Sequence, residues 1–326
     1  MFLTVYAFYE HEGKVSPMSL EALLSAASYG DTQTIKRCLE GGANVNYQDY
    51  NGETALHNAA RIRNTYTIKL LIDAGIDSIT QNKYGYTALH IAVMNGNTDI
   101  GKFLIDAGLN IQNQDGETEL HLAARLRNTE VTMLLIDAGI DLNAQNKYGN
   151  TALVVAVSYE NTEIAKLLID GGIDLNIKNQ DGETELHLAA RLRNTEVTML
   201  LIDAGIDLNA QNKYGNTALV VAVSYENTEI AKLLIDGGID LNIKNQEGNT
   251  ALHIAAEKDD QAKATLLLEK DCDPNIRNRN FQSPGTVENK NVSLVMTRLF
   301  EGKVGSELAE FILFESESFS AFCELK

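Results

Sequence analysis

Three features of the sequence predict an all-α protein built from short helix pairs stacked side by side. The first is duplication: residues 113–180 recur as 179–246, displaced by 66 positions. The repeated core reads GETELHLAARLRNTEVTMLLIDAGIDLNAQNKYGNTALVVAVSYENTEIAKLLIDGGIDLNIKNQ, from Gly116 and again from Gly182. The second is a finer period inside each copy. Thr118-Glu-Leu-His answers Thr151-Ala-Leu-Val, and Leu134-Leu-Ile-Asp-Ala-Gly answers Leu167-Leu-Ile-Asp-Gly-Gly, each at half the larger step. The third is apolar spacing at i, i+3, i+4 in two brief runs per unit, Leu120/Ala123/Ala124 and Val131/Leu134/Leu135. A fixed period in the low thirties marks a stacked repeat protein. Neither run reaches the length at which an isolated helix is stable, so neighbouring units must supply the core.

Taken in order, residues 1–15 form an N-terminal arm. The first repeat, about 16–50, is atypical: it carries Leu23, Leu24, Ala26, Ala27, Ile35, Cys38 and Leu39 but lacks the Gly-x-Thr entry of the later units. Its polar start at Ser19 and Glu21 suits a terminal unit, whose outer face meets water. Full repeats enter at Gly52, Gly85, Gly116, Gly149, Gly182, Gly215 and Gly248, at spacings of 33, 31, 33, 33, 33 and 33. The predicted boundaries are 51–83, 84–114, 115–147, 148–180, 181–213, 214–246 and 247–280. The one short spacing falls in the connection Gly108–Gly116, so both helical faces keep their phase.

Local chemistry defines each unit. Thr118 stands at a helix N-cap, where its oxygen can accept a first-turn amide. His121 follows at the position where a capping box places Glu or Gln. Asn128 is placed to cap the second helix, and Gly139 to end it in the left-handed conformation. Asn-Lys-Tyr-Gly and Asn-Gln-Asp-Gly then read as turns. Beyond Asn280 a ninth entry begins at Phe281-Gln-Ser-Pro284 and the pattern stops. Val292, Val295, Met296, Leu299 and Phe300 suggest one amphipathic helix, and Leu308, Phe311 and Ile312 a second. Residues 281–326 are thus a degenerate cap or a tail.

These residues resemble the ankyrin repeat, whose pattern runs Asp-x-x-Gly-x-Thr-Pro-Leu-His-x-Ala-Ala, then Leu-Leu, Gly-Ala and Asn. Gly116, Thr118, Leu120, His121, Ala123, Ala124, Leu134, Leu135, Gly139 and Asn143 fall on it, and the match spans roughly 16–280. The family's Pro is Ala or Glu in every full repeat, and its His is Val154 and Val220 in two. Its inter-helix Gly is replaced by Arg63, Arg127, Glu160, Arg193, Glu226 or Asp259. The resemblance implies an ankyrin-repeat solenoid of helix-turn-helix units with projecting β-hairpin-like turns. It also implies a structural, hydrogen-bonding role for the histidines.

Composition narrows the function. Lys and Arg number 27 against 45 Asp and Glu, a formal charge of −18, which argues against a general nucleic-acid binder. Cys38, Cys272 and Cys323 are odd in number and far apart, so no disulfide framework is visible and a reducing compartment is expected. The apolar N-terminus has no basic leader and meets Glu10, His11 and Glu12, a poor signal peptide. No run approaches the roughly eighteen apolar residues of a membrane span. His57, His90, His121, His187 and His253 share one slot, so neighbours stand a whole repeat apart. Helices pack about 8–10 Å apart, whereas metal ligands lie near 2 Å from one centre. No metal, cofactor or catalytic site is expected.

In the family, recognition uses turn tips and the outer side of the first helix, lining a concave groove. Carried over, those positions are Lys83, Tyr84, Tyr86 and Met94, then Arg125 and Leu126, then Lys147, Tyr148, Asn150, Ser158 and Tyr159. The second copy of the duplication adds Arg191, Leu192, Lys213, Tyr214 and Tyr225. Tyrosine combines apolar area with a hydroxyl handle. Arg61, Arg125 and Arg191 recur in alternate repeats, either to clamp a partner's carboxylates or to pair with acids such as Glu160 or Asp115. The expected function is a monomeric, cytoplasmic, non-enzymatic scaffold that binds another protein. The alternatives are a pathogen protein delivered into a host cell, an accessory region of a larger enzyme, and a structural spacer.

The duplication generates the first prediction. Excising Gly116–Asp181 joins Asp115 to Gly182, so the junction repeats a sequence already present. Because solenoid stability is close to a sum of repeat and nearest-neighbour terms, the shortened protein should fold with a modestly lower melting point. Excising Gly116–Asn128 should instead strand one helix. Circular dichroism melts of both deletions decide it, and the opposite ranking would mean that the repeat boundaries are misplaced.

Overall fold

A computed structural model describes residues 17–106, 108, 110–270 and 272–286. The chain divides into two compact units, Met1–Ile140 and Asp141–Lys326. The first holds four helix pairs: α1 (Pro17–Tyr29) with α2 (Thr32–Glu40), α3 (Ala55–Ala60) with α4 (Thr65–Asp73), α5 (Ala88–Met94) with α6 (Thr98–Ile105), and α7 (Glu119–Arg125) with α8 (Thr129–Asp137). The second holds α9 (Ala152–Ser158) with α10 (Thr162–Asp170), α11 (Glu185–Leu192) with α12 (Thr195–Asp203), α13 (Ala218–Ser224) with α14 (Thr228–Asp236), and α15 (Ala251–Glu257) with α16 (Gln261–Glu269). A 3-10 turn at Pro284–Thr286 follows. No strand occurs among the described residues.

Within each unit, first helices pack on first helices and second on second. Thus α3, α5 and α7 form one layer of the first unit and α4, α6 and α8 the other. In the second unit α9, α11, α13 and α15 face α10, α12, α14 and α16. The small residues anticipated at the layer contact are fully buried, Ala59/Ala60, Ala123/Ala124 and Ala189/Ala190 among them. Leu56, Leu120 and Leu186 close the core from the first helix, and Ile68, Val131, Leu135 and Leu201 from the second.

The histidine slot completes the caps. At α5, the Thr87 backbone N–H donates to His90 Nδ1 at 3.3 Å, while His90 N–H donates back to Thr87 Oγ1 at 3.4 Å. This is a capping box with His in place of Glu, and it recurs at Thr54/His57, Thr118/His121, Thr184/His187 and Thr250/His253. With Nδ1 accepting, the proton sits on Nε2. That nitrogen donates to the next repeat's turn: His57 to Tyr86 O at 2.9 Å, His187 to Asn216 O at 2.9 Å and His253 to Gln282 O at 3.1 Å. Burial lowers the proton affinity of His57, His90, His187 and His253, pushing His90 down to about 4. Where Val154 and Val220 replace His, only the threonine half of the box remains.

The substituted inter-helix glycines adopt the strained conformation in five of six cases: Arg127 (φ 57°), Glu160 (55°), Arg193 (61°), Glu226 (60°) and Asp259 (53°). Each costs roughly 1 kcal/mol relative to glycine. The sixth expectation needs correction. Arg63 is not left-handed, because α3 stops at Ala60 and the chain turns to the Asn64 cap without it. The two-residue deletion before Gly116 is absorbed locally, with Asn110 at φ 65°. The packing of α7 on α5 and of α8 on α6 persists across it. A ninth turn does form, Asn278 N–H donating to Gln282 O at 2.9 Å, with Phe281 at φ 61° where earlier repeats have glycine. The arm at 1–15 and the two helices expected at 292–300 and 308–312 lie outside the described residues.

The glutamates that stand where the family has proline are buried. Glu119 and Glu185 each open a first helix, and both are 0% exposed. Neither Glu119 oxygen has a hydrogen-bond partner, and His90 Nδ1, itself a neutral acceptor, lies 3.6 Å away. One Glu185 oxygen accepts from Thr151 Oγ1 at 3.2 Å, and the other is unpartnered. Burial pushes both carboxyls up to about 7, against the pull of nearby amides. Since the folded value lies above the unfolded one, their stabilising contribution is complete below about pH 4.5 and is lost as pH rises through 7. Wild type should therefore lose stability between pH 6 and 8, on the order of 1 kcal/mol per carboxyl. Glu119→Gln with Glu185→Gln should flatten that slope. Urea denaturation at both pH values measures it, and equal slopes in the two proteins would place the carboxylates in water.

Candidate functional site

The turn tips form an edge made rigid by backbone geometry. In the first unit, buried Asn82 accepts the amides of Tyr84 and Tyr86 through Oδ1 at 2.9 and 3.0 Å, folding the tip around itself. Asn146 and Asn212 do the same for Tyr148/Asn150 and Tyr214/Asn216. Successive tips are then joined: Lys83 N–H to Asn51 O (2.8 Å) and Gln114 N–H to Tyr84 O (3.1 Å). In the second unit the links are Gln180 to Tyr148, Lys213 to Asp181, Gln246 to Tyr214 and Arg279 to Glu247, at 2.9–3.0 Å. Glycine is required beside these links. A Cβ on Gly85 would stand 2.7 Å from Gln114 N, and one on Gly215 2.8 Å from Gln246 N.

On this edge the expected side chains point into solvent. Lys83, Tyr84, Lys147, Tyr148, Lys213 and Tyr214 are exposed, and Tyr86 and Asn150 are half-buried. Lys83 Nζ sits 5.0 Å from the Tyr84 ring centre and 5.6 Å from that of Tyr50, and Lys213 Nζ 5.1 Å from Tyr214, all within cation–π range. At the first-helix ends Leu126, Ser158, Tyr159, Leu192 and Tyr225 are exposed, while Met94, Arg125 and Arg191 are half-buried. The Ser158 hydroxyl is spent on Val154 O at 2.7 Å.

The arginine stripe is an internal device. Arg61 pairs with Glu53 at 2.5 Å, Arg125 with Glu117 at 2.6 Å, and Arg191 with Glu183. Of the two roles open to these arginines, pairing is the one observed, with different acids from Glu160 and Asp115. Each glutamate stands just ahead of the capping threonine of its own repeat, so the bond ties the turn to the end of the helix. Arg191 also lies 5.7 Å from the Tyr225 ring of the next repeat. One aromatic near this edge escaped the sequence reading, Tyr50, which is 90% exposed, while Phe281, which opens the ninth entry, is 79% exposed.

The family description "Ankyrin repeats (3 copies)" matches residues 23–115, 106–179, 155–245 and 186–278. The chain therefore belongs to the ankyrin-repeat family, and its fold is the ankyrin solenoid, a module for protein–protein interaction. A similar solved structure is the ankyrin repeat domain of Bcl-3, described as a unique member of the IkappaB protein family. It has 30% sequence identity and a TM-score of 0.62, over 65% of this chain and 98% of that one. A 35-residue stretch, about one repeat in length, is 63% identical to part of an L-asparaginase of Dirofilaria immitis, covering 11% of this chain and 6% of that protein. Among the described residues no helix is long and apolar enough to cross a membrane.

The arginine pairs generate a test. Glu183 is 7% exposed, and deleting its partner leaves a buried carboxylate. Arg191→Ala should thus cost about 1–3 kcal/mol of stability, read from urea denaturation. An unchanged midpoint would return Arg191 to the set of side chains free for a partner.

Proposed function

We propose that this protein is a non-enzymatic scaffold or adaptor that holds a partner protein on the concave face and turn edge of its repeats. The observation that carries the reading is the pairing of exposed tyrosines with lysines on a backbone that cannot sag. Tyr148 and Tyr214 project from tips tied to their neighbours by main-chain hydrogen bonds. Rigid aromatic anchors lose little conformational entropy on binding, which is where much of the cost of association otherwise lies. In each unit the same face carries further candidates: Lys83, Tyr84, Tyr86, Met94 and Leu126 in the first, and Lys147, Asn150, Tyr159, Leu192, Lys213 and Tyr225 in the second. The proposal includes repeats bounded as in the sequence reading from about 16 to 280, with 281–326 as cap or tail, and a cytoplasmic monomer. Delivery into a host cell is compatible with the same surface.

A second reading has one observation in its favour. The short likeness to an L-asparaginase is consistent with repeats that accompany an enzyme in a longer chain. Hydrolysis of L-asparagine by the purified natural product would establish it, and its absence there would remove it.

The test of the first reading is direct. Once a partner is captured from native cytosol, Tyr148→Ala with Tyr214→Ala should raise Kd at least about tenfold, since truncated interface aromatics commonly cost about 2 kcal/mol. Circular dichroism should be unchanged. Unaltered affinity would move the site off this edge.

A further inference from the structure

The 66-residue duplication copies surface positions as faithfully as core ones. In the second unit Lys147, Tyr148 and Tyr159 recur as Lys213, Tyr214 and Tyr225. The sequence is shared from Asn113 to Gln180 and from Asn179 to Gln246, so each set is preceded and followed by the same residues. The geometry repeats as well. Tyr148 and Tyr214 are 63% and 56% exposed, and Tyr159 and Tyr225 49% and 51%. The two helix-end tyrosines share one backbone conformation, φ −100° and ψ 10° in one, φ −98° and ψ 13° in the other. Each tip tyrosine carbonyl accepts the amide of the next tip, from Gln180 at 3.0 Å and from Gln246 at 2.9 Å. Arg191, which lies 5.7 Å from the Tyr225 ring, has its sequence counterpart in Arg125, ahead of Tyr159.

Charge does not select the ligand of such a surface. In the four turns that precede α9, α11, α13 and α15, four lysines and six carboxylates are exposed, interspersed along the chain. A segment of one sign therefore meets attraction and repulsion in turn. Strand addition is closed as well, because the tip main chain is spent: the Tyr148 amide donates to Asn146 and its carbonyl accepts from Gln180. What remains is aromatic face with side-chain donors at its rim. That set suits a polyproline II segment, whose rings pack on aromatics and whose carbonyls have no internal hydrogen bonds. Spacing supplies the period. Two repeat steps are about 16–20 Å at the usual helix spacing, and six residues of polyproline II rise about 19 Å in two complete turns. The same face of the ligand thus returns at the second pair of tyrosines. We propose that the second unit holds two equivalent subsites, one at Tyr148 and Tyr159 and one at Tyr214 and Tyr225. Together they bind a proline-rich segment that carries its motif twice, six residues apart. This rests on the scaffold function and narrows the chemistry of its partner.

The experiment uses the full-length protein with 3-fluorotyrosine at its 12 tyrosines, and acetylated tetraproline and decaproline as probes. Tyr148→Phe and Tyr214→Phe assign the two tip signals by fluorine NMR. Tetraproline, about 12 Å long, reaches one subsite, so both signals should shift with Kd values equal within about twofold. Decaproline, about 31 Å long, spans both. Both signals should then shift together, at a Kd at least about tenfold lower. In Tyr214→Ala the Tyr148 signal should return to the tetraproline Kd, and in Tyr148→Ala the Tyr214 signal likewise. Circular dichroism of these variants should match wild type, since both side chains are exposed. A shift at one tyrosine alone, or a decaproline gain that survives either alanine variant, would overturn the paired subsites. Absence of any shift up to millimolar peptide would overturn the polyproline chemistry. If Tyr148→Ala with Tyr214→Ala still weakened a captured partner in that case, the scaffold function would stand without it.

Discussion

A helix of six to nine residues forms too few internal hydrogen bonds in water to recover the entropy of its own nucleation. Fifteen of the sixteen α-helices among the described residues are of that length, the exception being the 13-residue α1. Every other feature answers this shortage. Alanine pairs bring helices close enough for their neighbours to complete the core. In four of the five capping boxes, those of His57, His90, His187 and His253, one ring nitrogen starts the histidine's own helix and the other holds the next repeat's turn. A single neutral imidazole therefore couples a local element to a non-local one, and this makes the stack cooperative where its helices alone are not.

The same logic explains the tips. A turn that must accept and donate main-chain hydrogen bonds with its neighbours needs a buried asparagine to fold it and a glycine to let the next stretch of chain approach. Asn82 and Gly85 satisfy both requirements in one repeat, and Asn212 and Gly215 in another. With the backbone so constrained, the two residues between them carry the links through their main chain, and their side chains stand outside it. Lysine and tyrosine occupy those places at 83–84, 147–148 and 213–214, in a chain that is otherwise short of cations. Two side chains per repeat can therefore vary at little risk to the fold.

The buried glutamates show what duplication copies along with a useful unit. Glu119 and Glu185 stand in equivalent positions of the two copies, each at a helix start whose partial positive charge offsets part of their desolvation. Neither has the partners that a buried carboxylate needs. A stack whose stability is a sum of similar terms tolerates such a defect, because no single layer carries the whole fold.

Residue order was enough to specify the repeat period, the helix pairs, the caps at Thr118 and Asn128, the left-handed stop at Gly139 and the exposure of Tyr148 and Tyr214. Apart from the period, these depend on groups within about four residues of one another, where backbone preference and capping chemistry decide the outcome. Whatever crosses from turn to helix or from repeat to repeat was settled by packing instead. Arg191 took Glu183 where the sequence offered several acids, and the His57 Nε2 proton found Tyr86 O, 29 residues on. Arg63 escaped the left-handed slot because α3 ends at Ala60, a residue short of its counterparts α5 and α7. Glu119 is a fully buried acid with the amides of Asn110 and Ile111, from the preceding connection, beside its carboxyl. Those outcomes depend on distances between layers, and a linear pattern of residue types does not contain them.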